Sequence, residues 1–275
     1  MKFVKMHGIG NDYVYVDCFS QPLPEDPSAL AVEISRPHTG VGSDGLILVV
    51  PCEGADARMR IFNKDGSEGE MCGNGIRCVG KYLFDSGIAP KKTLRVMTGG
   101  GLKTLEMQIR GGKATGARVD MGQMRFEPSE IPVNAPSNTV TLRDGARSFA
   151  FFCLNPGNPH AVTRELFPEG EEFLRLGAAF ERDPVFPARA NISFVKKLAP
   201  DRLRARIWER GSGPTQACGS WATACQVAMH LMGETAAAAT VELPGGELFI
   251  EYDAVTQRAY MTGPAVTVFT GEWPL

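Results

Sequence analysis

The two halves of the chain repeat the same short motifs, and this repetition limits the folds open to the sequence. The segment RIFN at 60–63 precedes the pair Cys72-Gly73 by the same distance as RIWE at 206–209 precedes Cys218-Gly219. The offset of 146 from Cys72 to Cys218 recurs, within one residue, in three further pairs: Gly10-Asn11 with Gly157-Asn158, Asp44 with Asn191, and Gly99-Gly100 with Gly245-Gly246. Such regular repetition indicates an internal duplication, so we expect two similar lobes related by a pseudo-twofold axis.

Each half combines many short strands with one helix. Apolar residues recur at helical spacing over 73–85 and again from 220 to 231. Short segments rich in β-branched and aromatic residues, separated by turn residues, are typical of strands. In the first half these segments are 3–6, 13–17, 46–50, 59–62, 94–97 and 102–109. We predict an α+β fold in which each lobe is a strand-rich, barrel-like sheet around a central helix.

The lobe boundary is predicted in the glycine-containing stretch 111–116. Residues 1–115, with 264–275 returning to them, then form the N-terminal lobe, and residues 116–263 form the C-terminal lobe. The stretch 128–138 is rich in Pro, Ser and Asn, which predicts a loop. The active site is expected in the cleft between the lobes.

Charge and hydropathy exclude several classes of function. The chain has 29 Lys and Arg against 31 Asp and Glu, a net charge of -2, so a nucleic-acid partner is not expected. Apolar runs fall short of the roughly 20 residues that span a bilayer. Lys5, His7 and Asp12 interrupt the segment where a secretory signal would be apolar. We therefore expect a cytoplasmic protein without membrane contacts.

The seven cysteines are expected to be free thiols. Their number is odd, they form no CxxC pair, and the cytoplasm keeps thiols reduced. The four histidines are scattered along the chain rather than clustered with cysteines, so no metal site is predicted. Cysteines 78 and 225 lie inside the predicted helices, and cysteines 18, 52 and 153 lie in or near strands, so we interpret these five as structural.

Cys72 and Cys218 differ from the other cysteines because each lies where a turn enters a helix. Unpaired N–H groups and the helix dipole lower the pKa of a thiol at such a position. The small residues that follow, Gly73-Asn74 and Gly219-Ser220, leave backbone amides open to hold a carboxylate. Inversion of a stereocentre needs proton removal on one face and proton delivery on the other, which a thiolate and a thiol provide. The sequence thus predicts amino-acid epimerisation by a cysteine pair.

Polar residues at turns complete the predicted site. These residues lie at equivalent ends of the two halves in the repeat register: Asn11, Asn63, Asn158, Asn191, Glu209 and Arg210. A single Asn in a turn is commonly there because it tolerates left-handed backbone. Their joint placement by the duplication favours a cleft that binds a ligand with a second amino and carboxylate group.

The chain resembles the diaminopimelate epimerase family over essentially its full length. The motifs that carry the resemblance are KMHGIGNDY, GVGSDGL, RIFNKDGSE, MCGNGIRC, GNPH, RANISF, WERGSGPTQACGS, ELPGG and YMTGPA. The resemblance implies two lobes of that family's fold, no cofactor, no metal, and often a homodimer. It also implies interconversion of LL- and meso-2,6-diaminopimelate for lysine and peptidoglycan synthesis.

The matching motifs imply a role for each site residue. Cys72 and Cys218 are implied as the two acid–base groups. The implied substrate-binding residues are Asn11, Asn63, Gly73, Asn74, Asn158, Asn191, Glu209, Arg210, Gly219 and Ser220. The resemblance further implies that His160 and Glu209 orient the reacting amino group.

Two positions depart from the family pattern. Trp221 replaces the usual glycine after Cys-Gly-Ser, and we expect it to alter packing at the seam between the lobes or to narrow the pocket. Gly45 stands where some relatives carry glutamine, which removes one possible ligand contact.

Three other functions share part of this sequence pattern. The turn at 40–45 matches G-x-G-x-x-G, but the strand predicted at 46–50 follows where a dinucleotide site needs a helix. A related cofactor-independent racemase of another amino acid would share the cysteine pair and differ in the distal contacts. A non-catalytic amino-acid binding protein of the same fold would need no acid–base pair, so the two cysteines count against it.

Overall fold

A computed structural model describes residues 1–274, and its chain forms two compact units. Unit 1 comprises Met1–Asp120 together with residues 262–274, and unit 2 comprises Met121–Met261. The chain therefore leaves unit 1 inside a strand rather than in the turn at 111–116, where the sequence suggested a boundary. The described part of the chain includes no helix that is both long and apolar enough to span a membrane.

Unit 1 contains short strands and two helices. Its helices are α1 (Pro27–Ile34) and α2 (Gly73–Asp85). Its strands are β1 (Lys2–Gly8), β2 (Asn11–Asp17), β3 (Gly45–Val50), β4 (Ala57–Asn63), β5 (Glu68–Gly69), β6 (Thr93–Thr98), β7 (Gly101–Arg110), the first part of β8 (Lys113–Gln123), and β18 (Val266–Glu272). The predicted strands of the first half all form.

Unit 2 has the same composition of elements. Its helices are α3 (Gly170–Glu181) and α4 (Gly219–Leu231). Its strands are β9 (Thr139–Asp144), β10 (Arg147–Leu154), β11 (His160–Thr163), β12 (Asn191–Ala199), β13 (Arg202–Glu209), β14 (Gly213–Pro214), β15 (Ala238–Leu243), β16 (Gly246–Asp253) and most of β17 (Arg258–Pro264). As predicted, 128–138 contains no helix or strand.

Strand pairing repeats element by element, which shows the duplication in three dimensions. In unit 1, β2 pairs in parallel with β3, β3 antiparallel with β4, and β4 in parallel with β6. In unit 2, β11 pairs in parallel with β12, β12 antiparallel with β13, and β13 in parallel with β15. The outer pairs β1–β18 and β10–β9 are both antiparallel. The fold class is thus the predicted α+β arrangement with two similar halves.

The central helices α2 and α4 are buried along most of their lengths. Ile76, Val79 and Leu83 of α2 are fully buried, and α2 packs on strands β1, β2, β6 and β7. Helix α4 packs on strands β10 to β13, β15 and β16. Trp221, in the first turn of α4, is fully buried.

Each unit also has an outer helix, although the sequence pattern predicted only one helix per half. Helix α1 has eight residues, begins at the N-cap Asp26, whose Oδ1 accepts a hydrogen bond from Ala29 N (2.9 Å), and has Pro27 in its first turn. In α3 only Leu176, Gly177, Phe180 and Glu181 are buried. Short helices with such a narrow apolar face give a weak periodic signal, so the pattern missed both.

Candidate functional site

Cys72 is the N-cap residue of α2, as predicted. Its extended backbone (φ −132°, ψ 116°) lets the sulfur accept a hydrogen bond from the Gly75 amide at 3.3 Å. A thiol therefore takes the place of the usual Ser, Thr, Asp or Asn oxygen of a helix cap. A Cβ at position 75 would lie 2.6 Å from Ile47 Cδ1, so a larger residue there would require the Ile47 side chain to move.

A buried arginine holds the first turn of α2 in place. The Arg77 guanidinium donates to the carbonyl of Gly73 (3.0 Å), to Oδ1 of Asn74 (2.9 Å) and to the carbonyl of Pro264 (3.1 Å). Arg77 is fully buried, so its guanidinium hydrogen-bonds to the protein rather than to water. The sequence analysis missed Arg77; the available signal was a cation on the buried face of a helix.

Asn11, at the start of strand β2, contacts the Cys72 sulfur. The Cys72 thiol donates to Asn11 Oδ1 at 3.3 Å, and Asn74 Nδ2 donates to the same oxygen at 3.4 Å. The other end of the amide, Asn11 Nδ2, donates to Asp44 Oδ2 at 2.7 Å. The structure thus brings Asn11, Cys72 and Asn74 together, and adds Asp44, which the sequence analysis had used only as a repeat match.

The pKa of Cys72 departs from the sequence-based expectation. Burial raises the pKa of this thiol, and this effect exceeds the opposing effects of the Gly75 and Asn74 amides, the Arg77 charge and the Tyr13 hydroxyl. The helix start does act in the predicted direction, but desolvation of the thiolate outweighs it. The prediction that helix position alone activates this cysteine was wrong for the substrate-free protein.

Cys218 occupies the equivalent position in unit 2. It is the N-cap of α4 with a similar extended backbone (φ −147°, ψ 132°), and its sulfur lies 3.3 Å from Ser220 Oγ. The Thr223 hydroxyl donates to the Gly219 carbonyl at 2.9 Å, which ties the first turn of the helix together. Gly219 and Ser220 therefore form the start of α4 beside the sulfur, as Gly73 and Asn74 do in α2.

The polar residues of unit 2 form a connected set. Asn158 Oδ1 lies 2.9 Å from His160 Nε2, and His160 is paired with Asn191 in the parallel register of β11 and β12. Asn191 Oδ1 accepts from the Arg210 amide at 2.9 Å. The Glu209 carboxylate accepts from Thr215 Oγ1 at 2.6 Å. The structure thus links Asn158, His160, Asn191 and Arg210, and places Glu209 next to Arg210 in the chain.

A buried carboxylate that the sequence analysis missed supports this turn. Glu181 Oε2 accepts from Trp208 Nε1 at 2.7 Å, and Oε1 accepts from the Gly211 amide at 2.9 Å. These two bonds fix the backbone on both sides of Glu209 and Arg210. Burial opposes ionisation of Glu181, but the hydrogen bonds from Trp208 and Gly211 hold its pKa below the ordinary range.

Asn63 and Gly45 lie beside the Asp44 loop in unit 1. Asn63 pairs with Gly45 across β3 and β4, and its Nδ2 donates to Ser67 Oγ at 3.0 Å. A side chain at position 45 would collide with the Phe62 carbonyl and come within 3.0 Å of Tyr13 Cε1. In this chain the surrounding backbone therefore leaves room for glycine at position 45.

Metal ligands do not cluster in the described residues. Over positions 1–274, no three His, Cys, Asp or Glu side chains converge in a way that would hold an ion. None of the seven cysteines forms a disulfide.

Comparisons with known sequences relate the chain to diaminopimelate epimerases. The family model described as diaminopimelate epimerase matches residues 3–127 and 152–268. A diaminopimelate epimerase of Acetivibrio thermocellus is 47% identical and the alignment covers 99% of this chain and 98% of that protein. A diaminopimelate epimerase of Methanococcus maripaludis is 44% identical, with 99% of each chain covered.

Solved structures with the same fold are more distant in sequence. A probable proline racemase from Agrobacterium radiobacter aligns with a TM-score of 0.73 at 16% identity, covering 100% of this chain and 93% of that one. A hydroxyproline epimerase from Agrobacterium vitis aligns with a TM-score of 0.70 at 16% identity, covering 98% and 91% of the two chains. At this identity the likeness shows the fold alone.

His160 provides a pH-dependent test of the unit 2 geometry. Burial, with a smaller contribution from the Arg210 charge, lowers the pKa of His160 from 6.5 to about 3. Between these two pKa values the imidazole is protonated in the unfolded chain and neutral in the folded chain. The free energy of unfolding therefore decreases as the pH falls below 6.5. At pH 5 this linkage amounts to about 2 kcal/mol. We expect the free energy of unfolding, measured by urea titration, to fall between pH 7 and pH 5 by about that much less in His160→Gln than in the wild type.

The matched control is His38→Asn, which changes an exposed histidine and should leave the pH dependence of unfolding as in the wild type. A His160→Gln protein that loses as much stability from pH 7 to pH 5 as the wild type would contradict the assignment.

Proposed function

The chain belongs to the diaminopimelate epimerase family, and from this premise we propose that it interconverts LL- and meso-2,6-diaminopimelate with Cys72 and Cys218 as the acid–base pair. The observation that carries the proposal is the placement of both cysteines as N-caps of equivalent helices in a duplicated fold. The reaction supplies a precursor for lysine and peptidoglycan synthesis.

In the proposed reaction one cysteine acts as thiolate and the other as thiol. The thiolate takes the α-proton, the electron pair of the C–H bond remains on the α-carbon, and the thiol delivers its proton to the opposite face. The two sulfurs end with exchanged protonation states, and the reverse reaction restores them. This chemistry requires both cysteines to reach one α-carbon from opposite faces.

The helix starts are proposed to bind the reacting carboxylate. Amides of Gly73 and Asn74, with those of Gly219 and Ser220, offer donors whose partial positive charge offsets the charge that builds up on the carboxylate. No cofactor is assigned a step, since two thiols and these amides account for both proton transfers. Tyr13 and Arg77 border the first thiol and support its position.

The remaining polar residues are proposed to recognise the rest of the substrate. Asn11, Asn63, Asn158 and Asn191 offer amide donors and acceptors, and Arg210 offers a cation for a second carboxylate. Glu209 is a carboxylate suited to an ammonium group, and with His160 is proposed to orient the reacting amino group. A substrate with an amino and a carboxylate group at both ends matches this set.

We propose the cytoplasm as the location, because the chemistry needs reduced thiols and none of the seven cysteines forms a disulfide. A homodimer is also proposed; exposed Val266, Val268 and Phe269 on β18 offer an apolar surface for a second copy. Sedimentation velocity of the purified protein measures this directly, and a monomer at micromolar concentration would reject it.

The reaction is tested by following α-proton exchange in D2O by NMR over a panel of amino acids. We expect deuterium to enter the α-position of LL- and meso-diaminopimelate, because proton removal and delivery pass through thiols that exchange with solvent. Exchange confined to another amino acid would identify the chain as a related racemase. Absence of exchange in the reduced protein with every compound would leave only a binding function.

The cysteine pair is tested by Cys72→Ala and Cys218→Ala. Each variant removes one of two required acid–base groups, so inversion should fall by more than about 100-fold in either case. The matched control is Cys225→Ala, which removes a buried thiol from inside α4 and should retain activity. Inversion at the wild-type rate in either single variant would refute the two-cysteine mechanism.

A further inference from the structure

We propose that Asp44 is a positioning residue that turns the Asn11 carbonyl oxygen toward Cys72 and thereby holds Cys72 as a thiol in the substrate-free enzyme. Asp44 precedes β3 and is half-buried. Its Oδ2 accepts from Asn11 Nδ2 at 2.7 Å and from the Asp12 amide at 3.2 Å. The inference rests on the proposed role of Cys72 as an acid–base group.

The backbone around Asp44 fixes the carboxylate at this place. The Asp44 amide donates to the Asp12 carbonyl at 2.9 Å, and the Lys64 amide donates to the Asp44 carbonyl at 3.0 Å. Asp44 is therefore tied to β2 on one side and to the end of β4 on the other. A carboxylate held in this way presents only acceptors to its neighbours.

Two independent partners determine which end of the Asn11 amide faces the sulfur. Asp44 Oδ2 requires a donor, so the NH2 group of Asn11 must lie on that side. Asn74 Nδ2, on the opposite side, requires an acceptor and receives the Asn11 oxygen at 3.4 Å. Rotation of the amide by 180° would break both bonds and bring donor against donor. Asn11 therefore presents its oxygen to Cys72.

An acceptor oxygen beside sulfur favours the protonated form of the thiol. Asn11 Oδ1 lies 3.3 Å from Cys72 Sγ, a distance at which S–H donates and at which a thiolate would face a partial negative charge. The Gly75 amide at 3.3 Å favours the thiolate, as do the charge of Arg77 and the hydroxyl of Tyr13. Burial of the sulfur opposes them.

The ionisable groups that interact with the Cys72 sulfur lie on two elements. Tyr13 and Tyr15 belong to β2, and Arg77 and Cys78 belong to α2. Asp44, in the loop before β3, acts on the sulfur through the Asn11 acceptor that it fixes in place.

The second copy of the motif lacks this device. The residue equivalent to Asp44 is Asn191, a neutral amide whose Nδ2 donates to the Pro159 carbonyl at 2.9 Å. The residue equivalent to Asn11 is Asn158, whose oxygen lies 2.9 Å from His160 Nε2. The duplicated halves have therefore diverged at the residues beside the cysteines.

The test measures alkylation of Cys72 by iodoacetamide from pH 6 to pH 10 in the full-length protein without substrate, read by mass spectrometry of the Cys72 peptide. Asp44→Asn removes the charge and lets Asn11 rotate, so we expect the pH midpoint to fall by about one unit and the rate constant at pH 7 to rise about tenfold. Asn11→Leu removes the acceptor itself and should give a rise in the same direction.

Asp17→Asn is the matched control, because it removes a carboxylate from the other end of β2 with the same change in net charge. It should leave the Cys72 midpoint unchanged, and Cys52 serves as the internal reference in every sample. Wild-type midpoints in both Asp44→Asn and Asn11→Leu would overturn the proposal, as would an equal shift in Asp17→Asn. The assay contains no diaminopimelate, so its result is independent of whether the chain epimerises that compound.

Discussion

The hydrogen bond from the Gly75 amide to the Cys72 sulfur is the interaction on which the first half of the site depends. It makes a thiol the cap of a buried helix, at the one place where backbone donors are free to stabilise a thiolate. It also constrains the surrounding sequence. A Cβ at position 75 would displace the Ile47 side chain, and the buried Arg77 ties the first turn to Gly73 and Asn74.

A cap of this kind does not by itself make a strong base. Burial raises the pKa of Cys72 above its ordinary value, although the helix N–H groups, Arg77 and Tyr13 lower it. Cys72 must both donate and accept a proton, and the donors around it partly offset the effect of burial on its pKa. Bound substrate changes this balance by removing water and by adding its own charges. The duplication supplies a second cap, at Cys218, with different neighbours.

Much of this arrangement could be predicted from the sequence. The offset between Cys72 and Cys218 predicted two similar halves, and the apolar spacing after each cysteine placed both at helix starts, because these signals are local or periodic. The contacts that the sequence analysis missed are between distant residues: Asp44 meets Asn11 across 33 positions, and Glu181 meets Trp208 across 27. Sequence spacing carries no record of such contacts, nor of which end of an amide faces a sulfur. The net effect of burial on the Cys72 pKa was hidden for the same reason, since desolvation depends on packing from every side.

The central claim, that two different thiols handle the two proton transfers, is tested most directly by the position of deuterium during initial-rate epimerisation of LL-diaminopimelate in D2O. With two groups, the base keeps the proton it has taken while the other thiol delivers a solvent-derived deuteron. Meso product should therefore carry deuterium at its inverted carbon, while unreacted LL substrate should remain protiated. Product that retains the original proton, or substrate that exchanges as fast as it inverts, would contradict it.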